Sequence, residues 1–185
     1  MKNQTTISEN IHNVKVQNEK IQKVRLQKEK VQKVKVIAFD LQGTLVDHSD
    51  PPLLFLDSKY CLEQLEQHFL LVLVTEGKVL DNVDELLSSL GIKEFFQLVL
   101  HLKGTEHHKV DGSAFLEVLK KMNISAEDLI VVGDVPQSDI GGAHKIGVRA
   151  IRIKRGKFQS LIPTLTGEEA DVEISSLSEL VLLLQ

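Results

Sequence analysis

The stretch VIAFDLQGTLVD, Val36 to Asp47, decides how this chain folds. VIAF is apolar at every position, so a strand there is buried on both faces, as in a parallel sheet covered on two sides. The strand runs into Asp40, and Gly43 and Thr44 follow as a turn. A core does not place a carboxylate at such a strand end without a charge partner. Gln42, inside the turn, is a carboxamide: it can orient groups by hydrogen bonds but cannot trade a proton near neutral pH.

Working outward, the body alternates. Apolar runs predict further strands over 69–75, 96–102, 128–134, 148–153 and 171–174. Amphipathic stretches predict helices over 56–67, 79–91, 111–123, 137–147 and 176–184, two of them ending at Gly91 and Gly147. Strands separated by helices predict an α/β fold, a parallel sheet with helices on both faces. Ligands bind such sheets at the carboxyl ends of the strands.

Those ends carry Asp40, Thr75, and Asp134 with Asp139 in VVGDVPQSD; Lys109 lies just ahead of a helix in HHKVDGSAF. Hard oxygen ligands from two strand ends suit Mg²⁺, which takes one or two carboxylates and keeps several waters. A lysine beside them would offset phosphate charge, and a carboxylate facing a phosphate can attack phosphorus. Neither a Walker phosphate loop nor G-x-G-x-x-G is present, so nucleotide binding of those types is unsupported.

In order along residues 34–185 these segments resemble the haloacid dehalogenase (HAD) superfamily of phosphatases and phosphotransferases. FDLQGTL resembles its first motif, F-D-x-D-G-T-L; LVLVT its second; HKVDGSAF its third, with Val110 and Gly112 in place of two prolines; and VVGDVPQSDIGGAHKIG its fourth. A receiver domain would share the acidic site and lysine, but the Gly-Thr turn and the GDVPQSD pair speak against it. The resemblance implies a three-layer Rossmannoid sheet. It implies Asp40 as nucleophile and metal ligand, and Thr75 and Lys109 as binders of the transferring phosphoryl group. Mg²⁺ would be held by Asp40, Asp134, Asp139 and the backbone carbonyl of Gln42. Thr44 would buttress the loop.

In the family's phosphatases the position of Gln42 is the general acid/base. Losing that help is typically worth about 10²–10⁴ in rate. The resemblance therefore implies a slow Mg²⁺-dependent phosphatase or phosphotransferase acting through an aspartyl phosphate. The alternative is a catalytically impaired member that binds a phosphorylated ligand or a protein. A third branch, the dehalogenases and phosphonatases, also lacks an acid here but relies on a cap. Glu76 stands where many relatives have Asn; it would repel phosphate if it pointed inward. His107 and His108 read as exposed loop histidines.

Only thirty residues separate Thr44 from Thr75, and thirty-three separate Thr75 from Lys109. Neither gap holds a separate domain, so no cap is expected. The motifs resemble phosphoglycolate phosphatases, whose cap is missing, so that substrate does not transfer. Capless relatives act on macromolecular or bulky phosphorylated substrates, or borrow a second subunit as a lid, which makes a homo-oligomer an open expectation. DHSDPPLLFLD, Asp47 to Asp57, reads either as a surface loop tucking leucines onto the core or as a small flap.

Composition narrows the rest. The chain has 185 residues, 42% hydrophobic, enough for one core. Aromatics are 4% and Trp is absent, so base stacking and nucleic-acid binding are not expected. The single Cys61 forms no internal disulfide and reads as an inert, buried thiol. The longest apolar run is six residues and the first twenty residues are polar, so a cytoplasmic protein without a membrane partner is expected. Residues 1–36 carry nine Lys/Arg against three Glu, whereas the remainder is acidic. Ten-residue units begin at Ile11, Ile21 and Val31. On a helix, ten residues slip the apolar stripe by about 80° per unit, so no coiled-coil seam survives. Residues 1–33 are expected to form a mobile or loosely helical arm, and residues 34–185 the α/β domain.

Overall fold

A computed structural model describes residues 34–76 and 82–185. The arm expected over 1–33, and residues 79–81 of the second expected helix, lie outside the described residues.

Six parallel strands form one sheet in the order β3-β2-β1-β4-β5-β6. They are β1 (Val36–Phe39), β2 (Leu70–Thr75), β3 (Phe96–His101), β4 (Leu129–Gly133), β5 (Arg149–Ile153) and β6 (Val172–Ile174). The helices are α1 (Ser58–Leu65), α2 (Val83–Ser89), α3 (Ser113–Met122), α4 (Gly141–Lys145) and α5 (Leu177–Leu184).

The all-apolar character of β1 follows from its place in the middle of the sheet, paired with β2 and β4 and buried along its whole length. Val36, Ala38, Val72, Val74 and Val131 pack in one cluster with Phe115 and Val118 of α3 and Ala143 of α4. The alternate residues Ile37, Phe39, Leu71, Leu73, Ile130 and Val132 are equally buried, and the two-residue pleat places them on the opposite face. Burying one such side chain contributes about 1.5–3 kcal/mol. The fold is the expected three-layer α/β architecture.

The sheet order reverses at β1: β2 and β3 lie to one side, β4 to β6 to the other. The crevice at that reversal, beyond the carboxyl ends of β1 and β4, is where open α/β sheets bind ligands. The register sets Phe39 beside both Leu73 and Val132, so Asp40 and Asp134 emerge at nearly the same level.

One expected element is divided. Residues 137–147 were expected as a single helix; the structure has a π-helical turn, Pro136–Ile140, followed by α4. Pro136 starts the turn without an N–H. The wider turn lets the Asp139 carboxylate reach back to the Val135 N–H at 3.0 Å. Between Thr44 and Thr75 lie a loop and α1; between Glu76 and Lys109 the described residues form α2, a 3₁₀ turn and β3. Among the described residues there is no cap domain, and no helix long and apolar enough to cross a membrane.

Candidate active site

The six residues singled out in the sequence, Asp40, Gln42, Thr75, Lys109, Asp134 and Asp139, all line one cleft of about 150 Å³. Asp40 follows β1 directly, and its N–H still bonds the Val132 carbonyl at 2.9 Å. Thr75 ends β2, Asp134 follows β4, and Asp139 sits in the π turn. Of two larger cavities, about 450 and 530 Å³, the second adjoins the cleft through Glu76; the carboxylate cluster is in the small one. Its volume equals roughly five waters, room for a phosphoryl group but not for a bulky substrate.

Lys109 is buried and donates from Nζ to Asp40 Oδ1 and, at 2.9 Å, to Asp139 Oδ1. Its backbone is fixed as well. The Lys109 N–H bonds Glu76 Oε1 at 2.7 Å, and its carbonyl accepts from Gly112 N at 2.9 Å. Gly112 has φ +86°, a conformation closed to the proline that the resemblance places there. The loop has therefore exchanged proline rigidity for a left-handed turn. Lys145 Nζ holds the Val110 carbonyl from α4 at 2.7 Å.

The Glu76 contact answers the question raised by its sequence position. Its carboxylate faces the lysine backbone, and its side chain is 38% exposed. His108 is exposed, as expected, and His107 is half-buried. Thr44 is buried outside the cleft, with its carbonyl accepting from Arg155 Nη2.

The cleft's electrostatics suit a cation. Asp40, Asp134 and Asp139 each offer an oxygen within 4.8 Å of the others, facing the single ammonium of Lys109. Both carboxylate oxygens of Asp134 are buried without a hydrogen-bond partner. Burial, with Asp40 and Asp139 adding repulsion, pushes Asp134 up to about 8. Burial likewise raises Asp40 to about 6, against the pull of Lys109. For Lys109 the desolvation that would lower it is outweighed by the same two carboxylates, which raise it above the ordinary lysine range. A bare buried carboxylate costs several kcal/mol unless it is paired or metal-bound, so the donor set fits a hard divalent cation.

Gly43 makes that approach possible. It lies at φ +86°, and a Cβ there would run into the Asp134 carboxylate. The first-motif turn can close over Asp134 only without a side chain at this position.

Four further residues line the cleft without having been singled out in the sequence: His48, Val135, Ser138 and Phe158. Phe158 ends a 3₁₀ turn, Gly156–Phe158, after β5 and has no motif of its own. His48 directly follows the quoted stretch and is the second residue of DHSDPPLLFLD, the segment read as a loop or flap. The DHSDPPLLFLD segment is part tucked and part exposed. Leu54 and Phe55 are half-buried, while Leu53 and Leu56 face solvent.

Comparison with known proteins agrees with this geometry. The haloacid dehalogenase-like hydrolase family profile matches residues 4–153. The chain is 32% identical over 116 residues to a glyceraldehyde 3-phosphate phosphatase of Methanopyrus kandleri, covering 63% of this chain and 49% of that protein. It is 34% identical over 112 residues to a phosphoserine phosphatase of Thermus thermophilus, covering 60% and 43%. The chain thus spans about half the length of the curated relatives it matches. Its fold superposes on a predicted phosphoglycolate phosphatase from Haemophilus somnus with TM-score 0.72 at 17% identity, over 83% of this chain and 99% of that one. The motifs, the sheet order and the family match together establish that the chain belongs to the haloacid dehalogenase-like hydrolases.

Proposed function

We propose that the protein is a slow phosphatase or phosphotransferase in which Asp40 attacks the phosphorus of a phosphorylated substrate and forms an aspartyl phosphate. The observation that carries this reading is the pairing of a lysine-held Asp40 with the bare carboxylate of Asp134 in one cleft. Lys109 keeps Asp40 in one orientation and offsets its charge as a phosphoryl group approaches. Thr75, in the cleft wall at the end of β2, would donate to a phosphoryl oxygen. Asp40, Asp134, Asp139 and the Gln42 backbone carbonyl would hold Mg²⁺, which when bound supplies the positive charge that the three carboxylates lack. Gln42 orients the leaving group or the incoming water and transfers no proton.

The shallow cleft, without a cap among the described residues, favours a phosphate carried on a bulky or macromolecular substrate. Such an open site takes specificity from whatever lies outside it. The same reading takes the cytoplasm as the working compartment, where phosphorylated substrates and Mg²⁺ are both available, and leaves open a second subunit as lid. A second reading, a phospholigand-binding module without turnover, is favoured only by Gln42.

The test is Mg²⁺-dependent hydrolysis of an aryl phosphate by wild type, Gln42→Asp and Asp40→Asn. Activity in wild type that rises in Gln42→Asp and vanishes in Asp40→Asn is the expected pattern. Wild type at the Asp40→Asn level, with Gln42→Asp active, assigns the binding role. If all three coincide, Asp40 is no nucleophile.

A further inference from the structure

Hydrolysis of an aspartyl phosphate needs a base for the attacking water, and Gln42 cannot be one. The titratable side chains lining the cleft are few. Asp40 carries the phosphoryl group in the proposed reaction. Lys109 is locked between two carboxylates and remains protonated. Asp139 is bound by Lys109 and by the Val135 N–H, and Glu76 by the Lys109 N–H. Asp134 is assigned to the cation. His48 remains.

The structure builds His48 into place. Residues 46 to 54 form a closed loop whose base is an antiparallel bridge between Val46 and Leu54. Asp47 Oδ1 ties the loop internally, accepting from Ser49 N at 3.1 Å and from Leu53 N at 2.9 Å. The imidazole that follows stands edge-on to the Phe158 ring, with centroids 5.1 Å apart and planes at 86°. Phe158 is in turn held through its carbonyl by Arg152 Nη2 at 3.2 Å. His48 is therefore carried on a closed loop and set against Phe158 in the cleft wall, and its Nδ1 is buried with no hydrogen-bond partner. The charged groups around it are Lys157, which with the stronger effect of burial lowers its pKa below the usual histidine range, and Asp47, which opposes them. Burial and Lys157 thus favour the neutral ring, the form a base requires.

We propose that His48 is the general base for dephosphorylation, the role that Gln42 cannot fill. The proposal rests on the aspartyl-phosphate reading above. In the step, a water oxygen attacks the phosphorus of phospho-Asp40, the bond from phosphorus to the Asp40 oxygen breaks, and Asp40 leaves as a carboxylate. The water's proton passes to the His48 imidazole, which releases it to solvent.

The experiment is rapid-quench turnover of an aryl phosphate with Mg²⁺. It follows aryl alcohol release and phospho-Asp40 by intact-protein mass spectrometry, in wild type, Asp40→Asn, His48→Gln, Gln42→Asp and Gln42→Asp/His48→Gln, across pH 5 to 8. Expected is a His48→Gln protein that releases a first equivalent of alcohol normally but accumulates phosphoenzyme. Its dephosphorylation slows by roughly 10²-fold or more, and the fall in rate toward low pH seen in wild type disappears. In the Gln42→Asp background the restored acid makes His48→Gln nearly silent, which a merely structural role would not allow. Wild-type-like dephosphorylation and pH profile in His48→Gln overturn the proposal alone, as does a change confined to KM. Absence of any Asp40-dependent phosphoenzyme in wild type and Gln42→Asp overturns the proposed function, and this proposal with it.

Discussion

Two buried cations serve the same corner of the sheet and do different work. Lys109 bonds two carboxylates, Asp40 and Asp139. Arg152, the largest fully buried side chain among the described residues, bonds mainly carbonyls: Asp134 at 3.3 Å, Phe158 at 3.2 Å and Leu161 at 2.7 Å, with Glu173 at 3.5 Å at its rim. Burial alone does not separate them; their partners do. A carboxylate changes charge or ligand during phosphoryl transfer, and a point-charge ammonium can follow it. A carbonyl keeps its dipole throughout, and the fixed fan of guanidinium donors suits three of them at once. The comparison teaches that Lys109 belongs to the chemistry, whereas Arg152 builds the wall against which the chemistry happens.

The sharpest way to break that contrast is to remove each charge. Lys109→Met should lower aryl phosphate turnover by about 10²–10³ or more, while its unfolding midpoint in Mg²⁺ stays near that of wild type. Arg152→Met should do the reverse. Stranding buried carbonyls at about 1–3 kcal/mol each should lower the calorimetric Tm by roughly 10 °C, and Arg152→Lys should not restore it. Equal thermal losses in both variants would erase the distinction.

Metal removal probes the side of the corner that Lys109 leaves bare. Mg²⁺ at a hundred times its Kd should stabilise wild type by about 2.7 kcal/mol. EDTA should reverse this, and Asp134→Asn should show no such rise in thermal scans. Gly43→Ala comes next in size. Its positive φ and the collision with Asp134 should cost about 1–3 kcal/mol and weaken Mg²⁺ binding measured by calorimetry; an unchanged Mg²⁺ affinity would mean that the turn need not close on Asp134.

The smallest effect lies away from the cleft, at His144. Its hydrogen bond to Asp171 at 3.0 Å, with the Gly167 carbonyl, raises it above the usual histidine value despite partial burial. A raised folded pKa means the pair's stabilisation is complete below about pH 6.5 and drains as pH rises through the folded value. Urea midpoints of wild type should fall slightly more steeply from about pH 6.5 upward than those of His144→Gln.

Much of the fold was legible in the sequence because its signals are local. An all-apolar VIAF running into a Gly-Thr turn reads as a strand buried on both faces, and alternating strands and helices favour a covered parallel sheet. The residues of the cleft were legible for a related reason. A carboxylate or lysine at the end of an apolar strand is conspicuous, and the register of a parallel sheet carries such ends to one edge. The π turn was not legible, since QSDIGGAHK has helical spacing throughout; the backward reach of Asp139 to Val135 is a local tertiary choice. Nor was the orientation of Glu76, because which way a carboxylate faces depends on the N–H that the Lys109 loop brings to it. His48 and Phe158 lie 110 positions apart, and neither carries a motif. The sequence by itself determined the layers, the strand ends and the substitution at Gln42, all set by the chemistry of neighbours along the chain. Only the tertiary structure decided which buried cation faces charges, which carboxylate is left bare and which histidine is gripped at the cleft wall, because those depend on groups that meet only when distant segments pack.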